Sequence, residues 1–204
     1  MLQENCYVVS DETKECMIVD CGAFYKEEKN AIADYIDSNN LKPVVLVATH
    51  GHLDHNFGNK FILDKYGLQV SLHHNDVTLL ANSPKQAAKF YGFQLDEEMP
   101  KVGKRLNDGD TVAFGNHSFK VIETPGHSRG SVFLYSEKDK VAFSGDTLFR
   151  RSIGRTDFDE GSMFMIIQSL RNICQLPDET QVLPGHGEPT TIGEELAHNP
   201  FIDR

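Results

Sequence analysis

Residues 49–55, with the sequence THGHLDH, constrain this chain more than any other stretch, because four of the seven side chains are of metal-ligand types. They directly follow the apolar run PVVLVA, which suits a strand that is buried on both faces. On an extended chain, side chains two residues apart point to the same side, so His50 and His52 can face one ion. Asp54 and His55 follow where the chain should turn into a helix, and they can face a second ion.

Three later positions repeat this arrangement, in which an apolar run ends in a glycine and a metal-ligand residue. His127 follows VIETPG, Asp146 follows VAFSG, and His186 follows VLPG. Sites in open α/β proteins lie at the carboxyl ends of strands. Imidazole and carboxylate are ordinary ligands of zinc, and they also suit iron or manganese. The sequence therefore predicts a hydrolytic centre that holds one or two ions, with Zn²⁺ as the expected metal.

Short apolar runs and amphipathic stretches alternate along the chain, and no repeat or linker divides it. The pattern predicts strands at 6–10, 16–22, 43–50, 69–73, 111–114, 118–123, 131–135, 141–144 and 181–183. It predicts helices at 26–40, 56–66, 162–173 and 192–198. Residues 75–104 are less regular and predict a helix followed by an excursion over the surface, a candidate lid. We expect an α/β fold of two sheets packed face to face with helices outside, a four-layer αββα sandwich.

The charge balance disfavours several kinds of partner. A formal net charge of −10, from 20 basic and 30 acidic residues, repels nucleic-acid phosphates and gives no attraction to an anionic membrane. No segment approaches the ~20 apolar residues that a membrane helix needs. The first residues lack the basic and apolar regions of a secretory signal. We therefore expect a cytoplasmic protein without a nucleic-acid or membrane partner, and the pattern indicates no oligomeric state.

Several motifs, in their order along the chain, resemble those of a known family. The segments THGHLDH, TPGHSRGS, SGDTLF and LPGHG look like the metallo-β-lactamase superfamily, and VDCG at Asp20 matches its early strand-end motif. Within that superfamily, GDTLFRRSIGRTDF and EELAHNPF resemble the short glyoxalase II-like hydrolases of bacteria. The resemblance spans nearly the whole chain. It implies one domain over residues 1–204, without the C-terminal helical domain of longer glyoxalase II enzymes.

The resemblance also assigns the candidate ligands to two ions. The first ion would be bound by His50, His52 and His127, and the second by Asp54, His55 and His186. Asp146 would bridge the two, and Asp54 would act as a catalytic residue that orients the nucleophile. Four other histidines match no ligand position and are expected at the surface or in turns, namely His73, His74, His117 and His198.

The chemistry expected of such a centre is hydrolysis. A bound divalent ion lowers the pKa of water from ~16 to ~7, so metal-bound hydroxide can attack a carbonyl carbon near neutral pH. A thioester suits this machinery because the departing thiolate needs no general acid. The segment GHSRG lacks the spacing of a GxSxG nucleophile elbow, which disfavours a covalent acyl-enzyme. With the glyoxalase II resemblance, this predicts a hydroxyacyl thioester substrate such as S-lactoylglutathione, a derivative of glutathione.

Arginines that follow the Asp146 strand are the candidate substrate-binding residues. Arg150, Arg151 and Arg155 are close in sequence, and guanidinium forks suit carboxylate recognition. The alternative is that they are solvated or pair with Asp157 and Asp159. Where longer glyoxalase II enzymes have a lysine and, two residues later, a tyrosine, this chain has Arg155 and Asp157, a departure from their pattern.

Two alternatives to a thioesterase stay open. Persulfide dioxygenases share the motif GRTDF with this chain and resemble it in the same loops. These enzymes use a single iron ion. Two histidines and a carboxylate would hold that iron, here His50, His127 and Asp146. The chain could also be a non-catalytic metal-binding protein that acts through contacts with a partner.

Overall fold

The computed structural model describes residues 3–202, and the first half of the chain forms one sheet with helices on its outer side. Its five strands are β1 (Tyr7–Ser10), β2 (Glu15–Val19), β3 (Lys42–Val47), β4 (Val70–His73) and β5 (Lys104–Leu106). The α-helices are α1 (Lys26–Ser38), α2 (Asn59–Tyr66), α3 (Val77–Ala81) and α4 (Ser83–Gln86), and a π-helical turn follows at Ala87–Tyr91. The strand order is β1-β2-β3-β4-β5, with β1 antiparallel to β2 and the others parallel.

The second half forms a larger sheet. Its elements begin with β6 (Thr111–Phe114), β7 (His117–Glu123), β8 (Val132–Ser136), β9 (Val141–Gly145), β10 (Leu148–Phe149) and β11 (Ser152–Ile153). They continue with α5 (Met163–Ile173), β12 (Gln181–Pro184), β13 (Thr190–Thr191) and α6 (Ile192–His198). The six-stranded order is β13-β12-β9-β8-β7-β6, and β10 and β11 form a separate two-stranded ribbon.

The two sheets pack face to face, and β8 explains how the layers arise. Successive side chains of a strand point to opposite faces. Val132 and Leu134 therefore join the core between the sheets, whereas Phe133 and Tyr135 pack under α5 and α6. All five residues of β8 are buried because both faces are covered. A third core lies between the first sheet and its helices, so the predicted four-layer αββα sandwich is confirmed.

Several boundaries differ from the sequence-based predictions. The second predicted helix starts at Asn59 rather than at residue 56, because a 3-10 turn at Leu53–His55 comes first. The irregular region contains two short helices and a π-helical turn before a non-regular stretch from residue 92 to 103. None of the described helices is both long and apolar enough to cross a bilayer.

His73 corrects another expectation. Its side chain is fully buried, with Nε2 2.7 Å from Glu123 Oε1, because β4 lies inside the sheet between β3 and β5. His74 and His198 are exposed as expected, and His117 is partly exposed. A histidine outside the ligand pattern can therefore be a buried, hydrogen-bonded core residue.

Candidate metal centre

The seven predicted ligands meet at one edge of the sandwich. His50 lies three residues beyond β3, Asp146 directly follows β9, and His186 lies two residues beyond β12. His127 lies four residues beyond β7. These strands belong to both sheets and deliver their C-terminal ends to the same place, as the sequence pattern requires.

Three histidines form the first group. Ligand-type nitrogens of His50, His52 and His127 all lie within 4.8 Å of one another, and the three side chains are buried. His52 Nδ1 is 2.8 Å from His127 Nε2. Three converging imidazoles leave a fourth tetrahedral position for water or substrate, which is the pattern of a catalytic zinc site.

The second group shares the edge with the first. Asp54, His55 and His186 also place ligand atoms within 4.8 Å of one another, with His186 Nε2 3.5 Å from Asp54 Oδ2. Asp146 lies between the groups. Its Oδ1 is 3.3 Å from His55 Nε2, and its Oδ2 is 3.6 Å from His127 Nε2. The geometry is compatible with the bridging role that we expect, and the ligand roles stay a prediction.

Buried polar atoms without a partner support the fit of a metal ion. Among the described residues, His50 Nε2, His55 Nε2 and Asp146 Oδ1 are buried and make no well-aligned hydrogen bond, although the last two atoms lie 3.3 Å apart. Leaving a buried donor or acceptor unsatisfied costs roughly 1–3 kcal/mol. Because all three atoms face the same small volume, a cation that accepts their lone pairs would satisfy them together.

The electrostatics also suit a cation. Burial and the neighbouring imidazoles lower the pKa of His50 well below its ordinary value, and burial lowers the pKa of His52 to about 3. Both rings are therefore neutral and can offer lone pairs. Burial alone would raise the pKa of Asp54 and Asp146, but nearby histidines, His55 foremost, lower it below the ordinary value. The carboxylates are thus ionised where positive charge would be held.

Outer contacts fix the orientation of the ligand rings. Asp20 accepts hydrogen bonds from the backbone N–H of Thr49 at 2.6 Å and from its hydroxyl at 2.7 Å. The same carboxylate lies 3.1 Å from His55 Nδ1, so His55 Nε2 faces the centre. His127 Nδ1 donates to the backbone oxygen of Arg155 at 2.8 Å. Such partners set the tautomer and direction of metal-binding histidines.

The N-terminal segment holds the His186 loop. The backbone N–H of Asn5 donates to Gly185 O at 2.8 Å, and its side-chain amide donates to Pro184 O and Gly187 O at 3.0 and 2.8 Å. The sequence analysis did not predict this role of Asn5, because nothing in the neighbouring sequence connects it to a loop 180 residues away.

Asp76 joins the two loops that carry the first group. One oxygen accepts from the backbone N–H of Gly51 at 2.8 Å and the hydroxyl of Ser128 at 2.6 Å, and the other accepts from Gly130 N at 2.6 Å. Gly51 lies between His50 and His52, and Ser128 follows His127. The carboxylate therefore sets the spacing between ligands from different sheets.

Replacing Asp76 by alanine should lower the free energy of unfolding of the metal-free protein by about 2–4 kcal/mol. The change leaves two buried N–H groups without their acceptor, each costing roughly 1–3 kcal/mol, while the Ser128 hydroxyl keeps its contact with Ser131 and removal of the buried carboxylate offsets part of the loss. Urea denaturation followed by circular dichroism measures this. Asp64→Ala, which removes an exposed pair with Lys60, is the matched control and should change it by about 0.5 kcal/mol. Equal midpoints for the two variants would contradict this role of Asp76.

A cavity of about 570 Å³ opens over the centre. His52, Asp54, His127, Asp146 and His186 contribute to its floor. Its remaining lining consists of Gln86, Phe90, Tyr91, Phe149, Ile153, Arg155 and Phe158. Phe90 and Tyr91 belong to the region predicted as a helix followed by an excursion over the surface, and both line the cavity, whereas Lys85 and Lys89 of the same region do not.

Gln86 was also missed by sequence reasoning. It is buried, accepts from Leu53 N at 2.9 Å, and donates to Gly51 O at 3.2 Å and Leu79 O at 2.8 Å. It thereby ties the excursion to the THGHLDH turn. A polar residue inside a short amphipathic stretch carries no local signal of such a role.

The three arginines occupy different places. Arg155 lines the cavity, and its guanidinium forms a two-pronged pair with Asp157, both contacts being 2.7 Å. Arg150 pairs with Glu188, and Arg151 pairs with Glu194 at 2.9 Å, both outside the cavity lining. Of the three candidates, the structure brings only Arg155 to the centre, and its contact with substrate stays a prediction.

Two facing sheets that present histidines and aspartates at one edge define a class of α/β metalloproteins, and the sequence comparison names it. The profile of the metallo-beta-lactamase superfamily matches residues 1–186, so the chain belongs to that superfamily.

Individual relatives resemble the chain over almost its full length. Hydroxyacylglutathione hydrolase GloC of Haemophilus influenzae is 33% identical, over 98% of this chain and 93% of that protein. Among solved structures, the BLEG-1 B3 metallo-beta-lactamase is 35% identical with a TM-score of 0.89, covering 98% of this chain and 94% of its own. TTHA1623, solved in a di-iron-bound form, is 34% identical with a TM-score of 0.86, covering 98% and 96%.

Proposed function

We propose that the protein is a metal-dependent hydrolase that cleaves hydroxyacyl thioesters, with S-lactoylglutathione as the representative substrate. The observation that carries the proposal is the convergence of two ligand groups, with Asp146 between them, at the floor of the cavity. The likeness to a hydroxyacylglutathione hydrolase and to a di-iron protein supports the substrate class and the two-ion arrangement.

Each group of residues has a separate task in this proposal. A bound zinc, iron or manganese ion would lower the pKa of water to ~7 and so supply hydroxide near neutral pH. His50, His52 and His127 would hold one ion, and Asp54, His55 and His186 the other. Asp54 also faces the cavity as an ionised carboxylate, where it can accept a hydrogen bond from the attacking water and orient it. A departing alkyl thiol has a pKa near 8.5 and leaves without a general acid.

Ser128 supports direct attack by water. It follows His127 in the motif GHSRG, but its hydroxyl is buried and bonds to Asp76 and to Ser131 at 2.8 Å. A serine held in this way is not free to attack a substrate in the cavity.

The hydrolase and the mono-iron dioxygenase differ in the number of ligands that they require. The dioxygenase alternative requires only His50, His127 and Asp146. Nothing in it requires Asp54, His55 and His186 to converge as they do. Two complete ligand groups suit a centre of two ions, which would bind both the nucleophile and the carbonyl oxygen.

The test is a set of parallel assays on protein stripped of metal and reloaded with zinc, ferrous iron or manganese. We expect thiol release from S-lactoylglutathione with at least one metal, and no oxygen uptake with glutathione persulfide. A chromogenic cephalosporin tests the activity that the BLEG-1 name describes. Oxygen uptake without thiol release would replace our proposal by the dioxygenase. Thioester binding without turnover under every loading would favour the non-catalytic alternative.

A further inference from the structure

The wall of the cavity is mostly aromatic and apolar. Phe90, Tyr91, Phe149, Ile153 and Phe158 contribute to it, and Phe158 packs against His52 with ring centroids 4.8 Å apart. Within the described part of the chain, Arg155 is the single lysine or arginine that lines this cavity. The leaving-group part of a substrate would therefore contact aromatic rings and at most one guanidinium.

One edge of that guanidinium is already paired with a carboxylate. Arg155 Nε and Nη2 each lie 2.7 Å from an oxygen of Asp157, and the group stacks over the ring of Phe158 at 4.3 Å. Two-pronged contacts of this kind use one edge of the guanidinium, and the Asp157 carboxylate offsets its positive charge, so a substrate carboxylate would gain less from Arg155. Arg155 lowers the pKa of Asp157 to about 2, so the pair is ionised throughout the neutral range.

Three other cations in these segments are also paired. Lys89 lies 3.3 Å from Asp159, and Arg150 and Arg151 pair with glutamates away from the cavity. A thiol that carries two carboxylates, as glutathione does, would approach a cavity whose one lining guanidinium is matched by Asp157. An uncharged alkyl thiol meets no such opposition and can cover the aromatic wall.

We propose, building on the proposed thioesterase function, that Asp157 is a specificity-determining residue, and that the site prefers hydroxyacyl thioesters of uncharged thiols over those of acidic thiols. Glutathione thioesters are then turned over, but with a higher KM. In this proposal the metal centre acts on the acyl group, and the Arg155–Asp157 ion pair discriminates between thiols.

The experiment compares two lactoyl thioesters, one of glutathione and one of N-acetylcysteamine, an uncharged alkyl thiol. Wild-type protein should show the higher kcat/KM with the uncharged thioester. In Asp157→Asn, the ratio of the two kcat/KM values should shift toward glutathione by about 5–10-fold, mainly through KM. The shift should shrink as salt is raised, because a freed Arg155 acts by exposed charge.

Asp159→Asn is the matched control, since Asp159 is an exposed aspartate that pairs with Lys89 instead of Arg155. Its ratio should stay within about twofold of wild type. Hydrolysis of both thioesters with a wild-type preference for glutathione, or with no shift in Asp157→Asn, overturns this inference and leaves the thioesterase proposal standing. Failure of metal-loaded protein to hydrolyse either thioester overturns both.

Discussion

Replacing His52 by alanine should lower kcat/KM for the thioester by more than about 100-fold and remove one metal ion per chain. Loss of an outer partner of a metal ligand typically costs 10–100-fold, so loss of a ligand should exceed that range. The fold should tolerate the change, because His52 lines the cavity and its ring lies between His127 and Phe158 rather than in an apolar core. Elemental analysis, thiol-release kinetics and thermal melting measure the three effects.

The control for this variant is His198→Ala. His198 is an exposed residue at the end of α6, 3.6 Å from Glu194. It should keep both its metal content and its rate within about twofold of wild type, as surface substitutions usually do. A His52→Ala protein that retains the full rate and metal content would remove His52 from the centre.

Gly185→Ala should also abolish most of the activity, by a steric route. A methyl group at this position would lie 2.5 Å from His55 Cε1 and closer still to Asp146 Oδ1. Asp20 holds the His55 ring in place, so it cannot yield without losing its orientation. We expect loss of the second ion and a fall in kcat/KM of about 100-fold, with the fold retained because the backbone hydrogen bonds of Gly185 are unaffected.

Gly187→Ala separates this clash from a general loop effect. An added methyl group at Gly187 meets nothing within 4 Å, although its φ of +78° makes alanine unfavourable. Such a backbone costs about 1–2 kcal/mol, so this variant should melt earlier but bind both ions. Equal metal content in the two variants would mean that the Gly185 position does not border the centre.

Much of the fold could be predicted because its strands are bounded by clear local signals. The mostly apolar sequence of β8, VFLYS, follows from helices on one face and the other sheet on the opposite face. The convergence of ligands could be predicted because each ligand segment begins within a few residues of the C-terminal end of a strand. Spacing within THGHLDH separated His50 and His52 from Asp54 and His55, and the family resemblance supplied the rest of the assignment to two ions.

The supporting residues could not be predicted, because their roles depend on contacts between distant loops. Asp76 and Gln86 bond to the THGHLDH turn from a region that carries only a weak helical pattern. Phe158 and Tyr91 line the cavity, and no hydrophobic periodicity in the sequence predicts that they lie there. The pairing of Arg155 with Asp157 was visible as one alternative, because two opposite charges two residues apart can meet locally.

The central claim is that these seven side chains hold metal, and anomalous diffraction from crystals of zinc-loaded protein tests it most directly. We predict two peaks at this edge of the sandwich. One should lie about 2.0–2.1 Å from nitrogens of His50, His52 and His127, and the other should lie beside His55, with Asp146 between the two. Peaks confined to the partly exposed group of Asp11, Glu12 and His117, with none at the predicted centre, would contradict the account.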